Sequence, residues 1–139
     1  MHAPVPVADE LSAPFWDGVA NNQLLIQRCA DCRRYFYPPV KACAACESKQ
    51  LVFEEVSGRG TVFSYSEIVS GARHPYFKSI TPYLVGVVEL EEQEGLHMFS
   101  NFPGSTLADL TVGAKVQVEF EEIAPGHSIP QFRCVGSDK

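Results

Sequence analysis

Two Cys-x-x-Cys pairs, Cys29-Ala-Asp-Cys32 and Cys43-Ala-Ala-Cys46, stand ten residues apart and constrain this chain more than any other feature. Each pair closes a tight knuckle that aims two sulfurs at one point. Two knuckles supply the four-thiolate tetrahedral shell that a structural zinc takes. The competing assignments are two disulfides or four unrelated thiols. No secretory leader is read ahead of the cysteines, so an oxidising compartment is not implied. Zinc held by Cys29, Cys32, Cys43 and Cys46 is the expectation. A shell filled by four thiolates leaves no position for water, so the metal holds structure and does not catalyse.

With 139 residues, 45% of them apolar, the chain can bury one core. The N-terminal Met1-His2-Ala3-Pro4-Val5-Pro6-Val7 reads as an extended arm, and the cytoplasm is the expected compartment. Residues 1–50 balance their charges, whereas residues 51–139 carry the whole net charge of −6. No basic stripe for a nucleic acid exists. The local cationic excess is Arg28, Arg33, Arg34 and Lys41, around the knuckles. It is either a solvated rim or a site for a compact anion such as a nucleotide phosphate.

Periodicity divides the chain into an arm and helix over 1–22, a ribbon over 23–50 and a barrel over 51–139. Ser12-Ala13-Pro14 starts a short helix that gathers Leu11, Phe15, Trp16 and Val19 on one face, with Gly18 weakening it. A strand over 23–28 feeds the first knuckle. From Leu51 the apolar period becomes two. Segments 51–57 and 61–69 read as one long strand bent at Gly58-Arg59-Gly60, and 82–90, 96–102, 115–121 and 131–135 as further strands. The fold class expected is mainly β: an N-terminal helix, a zinc ribbon, and a five-stranded oligonucleotide/oligosaccharide-binding (OB) barrel. Residues 70–81 read as a long connection carrying Tyr76 and Phe77, which either pin the loop or meet a partner. Phe63 and Tyr65 are expected to pack beneath the ribbon or the loop. The histidines sit in no acid/base motif, and Cys134 reads as a core thiol.

Phe15-Trp16-Asp17-Gly18, Gln27-Arg28-Cys29-Ala30-Asp31-Cys32, Tyr37-Pro38-Pro39, Cys43-Ala44-Ala45-Cys46, the run from Val56 to Tyr65, and His74-Pro75 occur in one order over most of the chain. In that order the chain resembles the acyl-CoA-associated zinc-ribbon/OB-fold family catalogued as domain of unknown function thirty-five. The resemblance implies a helical arm, a rubredoxin-like ribbon and an OB barrel. It also implies a non-catalytic subunit or fused domain that assembles a partner enzyme and helps hold acyl-CoA. The partner so implied is a thiolase-fold enzyme, an aldolase or thiolase of the kind met in steroid side-chain and lipid degradation. A hot-dog-fold enoyl-CoA hydratase is the second choice. A single-stranded nucleic-acid-binding module is the alternative class, which the acidic barrel opposes. If CoA is bound, its phosphates are expected at Arg28, Arg33, Arg34 and Arg59. Phe15, Trp16, Val19, Tyr76 and Phe77 are the expected partner contacts; the helix face has a second possible seat, folded back on its own ribbon. The family usually places glycine after the second cysteine of each knuckle; here Arg33 and Glu47 stand there, which asks for a left-handed backbone at modest cost.

Overall fold

The structure, a computed structural model, describes residues 4–135. Helix α1 (Ala13–Ala20) leads into β1 (Leu25–Cys29), β2 (Tyr35–Phe36) and β3 (Leu51–Glu55), which form an antiparallel sheet in the order β2-β1-β3. The second sheet holds β4 (Arg59–Ile68), β5 (Tyr83–Leu90), β6 (His97–Asn101), β7 (Lys115–Ala124) and β8 (His127–Cys134) in the order β6-β5-β4-β7-β8, with a short helix α2 (Pro75–Ile80) between β4 and β5. The mainly β class, the ribbon and the five-stranded OB-like sheet are as expected. A 3-10 turn, Leu107–Asp109, lies between β6 and β7.

Two stretches differ from the expectation. Segment 51–57 is not the first half of a bent barrel strand: β3 pairs with β1 along its whole length, from Leu25 opposite Glu55 to Cys29 opposite Leu51. Alternation specifies a strand but not which sheet receives it. The bend at 58–60 becomes the crossing between sheets. Gly58 has φ +80°, and a Cβ there would lie 2.2 Å from Val118 Cγ1, so only glycine fits. The second difference is α2, read as loop. Its N-cap is His74, whose Nδ1 accepts the Tyr76 N–H at 3.1 Å, with Pro75 in the first turn. Histidine does the work usually given to Ser, Thr, Asp or Asn, and so gives no familiar start signal.

Helix α1 ends in a Schellman motif: the Gln23 N–H bonds to Gly18 O at 2.8 Å and the Asn22 N–H to Val19 O at 3.0 Å, with Asn22 at φ 60°. Gly18 is less a weakness than a docking point, since a Cβ there would meet Leu25 Cγ at 2.7 Å. Ser12 does not cap the helix with its hydroxyl. It exchanges bonds with Asp9 instead, at 2.7 and 3.1 Å.

One core runs through helix, ribbon and barrel. Phe15, Val19, Leu24 and Ile26 join Val62, Val88, Leu90, Met98, Val116 and Phe132 in a single buried cluster. Val116 is buried while Val118 and Phe120 pack at the cluster's margin, in keeping with the alternation of β7. The barrel closes where β6 meets β8 through side chains rather than a backbone ladder. Gln131 Oε1 accepts the Asn101 N–H at 2.9 Å, and Ser100 Oγ accepts the Phe132 N–H at 2.9 Å. Among the described residues no helix is long and apolar enough to cross a membrane.

Candidate metal centre and the surfaces beside it

The two knuckles are built alike. In the first, the Cys29 N–H bonds to Arg34 O and the Arg33 N–H to Cys29 O, both at 2.9 Å; in the second, the Cys43 N–H bonds to Ser48 O and the Glu47 N–H to Cys43 O, both at 2.8 Å. Arg33 (φ 71°) and Glu47 (φ 66°) adopt the left-handed conformation that glycine would take freely. The turns bring all four sulfurs within 4.8 Å of one another. Cys29 and Cys46 sulfurs lie 3.6 Å apart and those of Cys32 and Cys43 3.5 Å apart. A tetrahedral zinc with bonds of about 2.3 Å separates its sulfurs by about 3.8 Å, so the cluster is already near coordination size.

The sulfurs are differentiated by backbone donors. The Cys32 N–H, 3.4 Å from Cys29 Sγ, brings the Cys29 thiol down to about 6. At Cys43, burial pushes upward, but the N–H groups of Cys46 and Ala45, each at 3.3 Å, outweigh it and lower the thiol. Cys46 receives help from Ser48, yet burial and the sulfurs of Cys29, Cys43 and Cys32 push it up to about 12. The first cysteine of each knuckle is thus the readier thiolate, and a divalent cation supplies the field that deprotonates the rest. The donor set, spacing and closed shell fit a structural zinc, which would serve folding and no reaction step.

The four arginines do not form one cluster. Glu54 on β3 binds two of them, Arg28 at 3.0 Å and Arg33 at 3.1 Å, and Arg28 also lies over the Tyr35 ring, 4.3 Å from its centroid. Those guanidiniums hold the Glu54 carboxyl below its ordinary value, the Arg28 hydrogen bond first. Arg59 sits on a different carboxylate, Glu91, at 2.7 Å. Arg34 is exposed and enters no ion pair among the described residues. Arg59 and Lys115 line a cleft of about 610 Å³ that also carries Glu89, Glu91 and Glu94.

Helix α1 takes the inner of its two possible seats. Phe15 and Val19, expected as partner contacts, are buried within this chain at 2% and 1% exposure, because the face that carries them packs on β1 and β8. Trp16 stays half-buried, edge-on to Phe15 at 4.9 Å. Tyr76 and Phe77 lie on α2, which buries no residue. Their rings form a chain of contacts from His74 through Phe77 to Tyr83. Phe63 and Tyr65 are exposed rather than packed under ribbon or loop, and Phe63 stacks instead on His97 of β6, ring centroids 4.3 Å apart. Cys134 is only partly buried, its sulfur 3.8 Å from Asp109 O.

Three residues escaped the sequence reading. Gln27 binds both backbone groups of Val40, at 2.7 and 2.9 Å, and ties the second knuckle's approach to β1. Gln93 does the same to Tyr35 from the barrel. Phe99, between inward Met98 and Ser100, is 82% exposed. The alternation of β6 was a signal that could have flagged Phe99; the glutamines gave none.

Known proteins match this arrangement in two consecutive segments. Residues 16–52 match a family profile described as the ChsH2 rubredoxin-like zinc ribbon domain, and residues 53–121 one described as the ChsH2 C-terminal OB-fold domain. A protein of Thermomonospora curvata named "Probable enoyl-CoA hydratase alpha subunit" is 32% identical over 94% of this chain and 39% of its own length, so the chain spans well under half of that relative. A protein of Methanothermobacter thermautotrophicus named "DUF35 domain-containing scaffold protein" is 32% identical over 69% of this chain and 70% of its own. A solved structure described as "Ltp2-ChsH2(DUF35) aldolase" superposes with a TM-score of 0.83 at 31% identity, over 93% of this chain and 98% of the matched one.

Proposed function

Because this chain belongs to the DUF35 family of joined zinc-ribbon and OB-fold modules, we propose that it is a non-catalytic accessory subunit of an acyl-CoA-processing complex in the cytoplasm. Its partner is a thiolase-fold enzyme, an aldolase or thiolase that makes or breaks carbon–carbon bonds, with lipid or steroid side chains as the substrate class. The observation that carries this is the match, over nearly the whole of both chains, to the module found in a two-protein aldolase. The chain's own chemistry supports it. Its four-cysteine cluster is a closed thiolate shell, which suits scaffolding and not turnover. A hot-dog-fold hydratase is the second partner, favoured by the hydratase name of the Thermomonospora relative.

In this proposal the metal ligands are Cys29, Cys32, Cys43 and Cys46, and the partner contacts are Trp16, Tyr76 and Phe77. CoA phosphates are met by Arg28, Arg33 and Arg34 at the ribbon edge, three cations against the single Glu54, with Arg59 across the junction. Arg34 is the guanidinium a phosphate reaches without displacing a carboxylate.

The test is reconstitution. The chain alone should not turn over acyl-CoA esters; with its thiolase-fold partner, soluble enzyme and activity should both appear. Calorimetry of CoA ester on the complex should lose affinity on Arg34→Ala more than on Arg59→Ala. Equal binding by alanine variants of all four arginines would remove CoA from this surface. Turnover by the isolated chain would remove the accessory role.

A further inference from the structure

Strand β5 is apolar on both faces. Leu84, Val88 and Leu90 point into the core, while Val85 and Val87 belong to the opposite face. On that face Phe99 and Phe63 add exposed apolar area, while Ser64 pairs with Val87 from β4, and Ser66 and Asn101 flank Val85. Phe99 stands opposite Val87 and is 82% exposed; Phe63, at the β4 bulge, stacks on His97 at 4.3 Å and is half exposed. Strands apolar on both faces belong to sheets covered on both sides, and an antiparallel sheet with a free face normally alternates apolar with polar. Here the described residues half-bury Val85 and Val87 and leave Phe99 uncovered.

The outer face continues into a trough. A hollow of about 360 Å³ joins Val85 and Phe99 to Trp16 and Tyr37. It shares Asn101 and Gln131 with two further hollows that run to Tyr76 and Phe77 on α2. The side chains lining the three include two carboxylates, Glu67 and Glu121, and neither lysine nor arginine. At the other end Glu89 lies 4.0 Å from His97. An aromatic surface with acidic margins on an acidic barrel repels a polyanion. It fits a protein surface with an apolar centre and lysines or arginines at its rim.

Resting on the function proposed above, we infer that the outer face of β5 and β6, centred on Phe99 with Phe63 and Trp16 at its ends, is where the thiolase-fold subunit docks, through an apolar patch with a basic rim.

The chain is co-expressed with the thiolase-fold proteins of its native host, and the complex that co-purifies is titrated. Phe99→Asp and Phe63→Asp, both at exposed positions, should keep the circular dichroism and melting temperature of the parent and weaken the complex about 30-fold or more each. Val112→Asp, equally exposed but outside the trough, should leave affinity unchanged. Full affinity in both phenylalanine variants would overturn the assignment of this face while leaving the accessory role standing. A homodimer of the chain that Phe99→Asp dissociates, without effect on the thiolase complex, would give the face to a second copy and overturn it. Salt-sensitive binding of a single-stranded oligonucleotide, lost in Phe99→Asp, would give it to nucleic acid and overturn it too. Failure of the parent chain to associate with any thiolase-fold protein would remove the function itself, and the occupant with it.

Discussion

The side-chain amide of Gln93 satisfies both backbone groups of Tyr35: Oε1 accepts the Tyr35 N–H at 2.8 Å, and Nε2 donates to Tyr35 O at 3.1 Å. Tyr35 lies on β2, an edge of the ribbon sheet, and Gln93 in the turn between β5 and β6. One amide thus stands in for a missing strand and fastens the ribbon to the barrel. Replacing Gln93 by Leu strands two partly buried backbone groups and should cost about 1–3 kcal/mol. Hydrogen exchange should quicken at Tyr35 while the β7–β8 ladder keeps its protection. Unchanged exchange at Tyr35 would show that the shared core alone holds the ribbon.

Zinc should bind at one ion per chain in protein purified without added metal. Removing it with a chelator, or replacing Cys29 by Ser, should unfold the knuckles first, since a metal site this small supplies much of its own folding energy. Because β1 carries both Cys29 and the core residue Ile26, the loss should then spread to the packing of α1. The check is metal analysis together with near-ultraviolet circular dichroism. Stable, metal-free protein with native aromatic signals would count against a structural ion.

Glu47 holds a left-handed conformation without glycine's freedom and makes no side-chain bond among the described residues. Glu47→Gly should therefore raise stability by about 0.5–1 kcal/mol, and Glu47→Val should lower it by more. The corresponding change at Arg33 gains less, because it also severs Glu54. Thermal melts of the three variants decide the order.

Acid should loosen one ion-pair cluster within the ribbon sheet and one at the start of the barrel. Arg28 and then Arg33 hold Glu54 below its ordinary 4.5, and Arg59 and then Ser57 do the same for Glu91. A carboxyl depressed in the folded state binds fewer protons there than in the unfolded chain. Its contribution is complete above the ordinary value and is lost as pH falls from there through the native value. Glu54→Gln should flatten the melting temperature between about pH 5 and pH 3 relative to the parent. Both carboxyls are substantially exposed, so the effect should shrink as salt rises.

The sequence displayed the metal centre because four cysteines at two fixed spacings admit few arrangements. It displayed β7 because Val116, Val118 and Phe120 alternate with charged and polar residues. It concealed the sheet to which Leu51–Glu55 belongs, since period two is the same in either. It concealed α2, capped by a histidine. It concealed Gln27 and Gln93, which look like any surface amide until the backbone they imitate is in place. Phe63 and Tyr65 were misread for a related reason. Their burial depends on whether another element covers their face of β4, which period two does not tell; Phe63 meets His97 of β6 instead.

A backbone ladder is indifferent to the identity of its residues, so most of this barrel wall can drift in sequence without changing shape. The meeting of β6 and β8 has no such tolerance. There the stitches are the Ser100 hydroxyl and the Gln131 amide, and both are buried. Substitution at either opens a gap in the wall rather than merely subtracting a contact, and the gap lies on the floor of the trough beside Trp16 and Phe99. At these two positions the shape of the wall therefore rests on side chains rather than on the backbone alone.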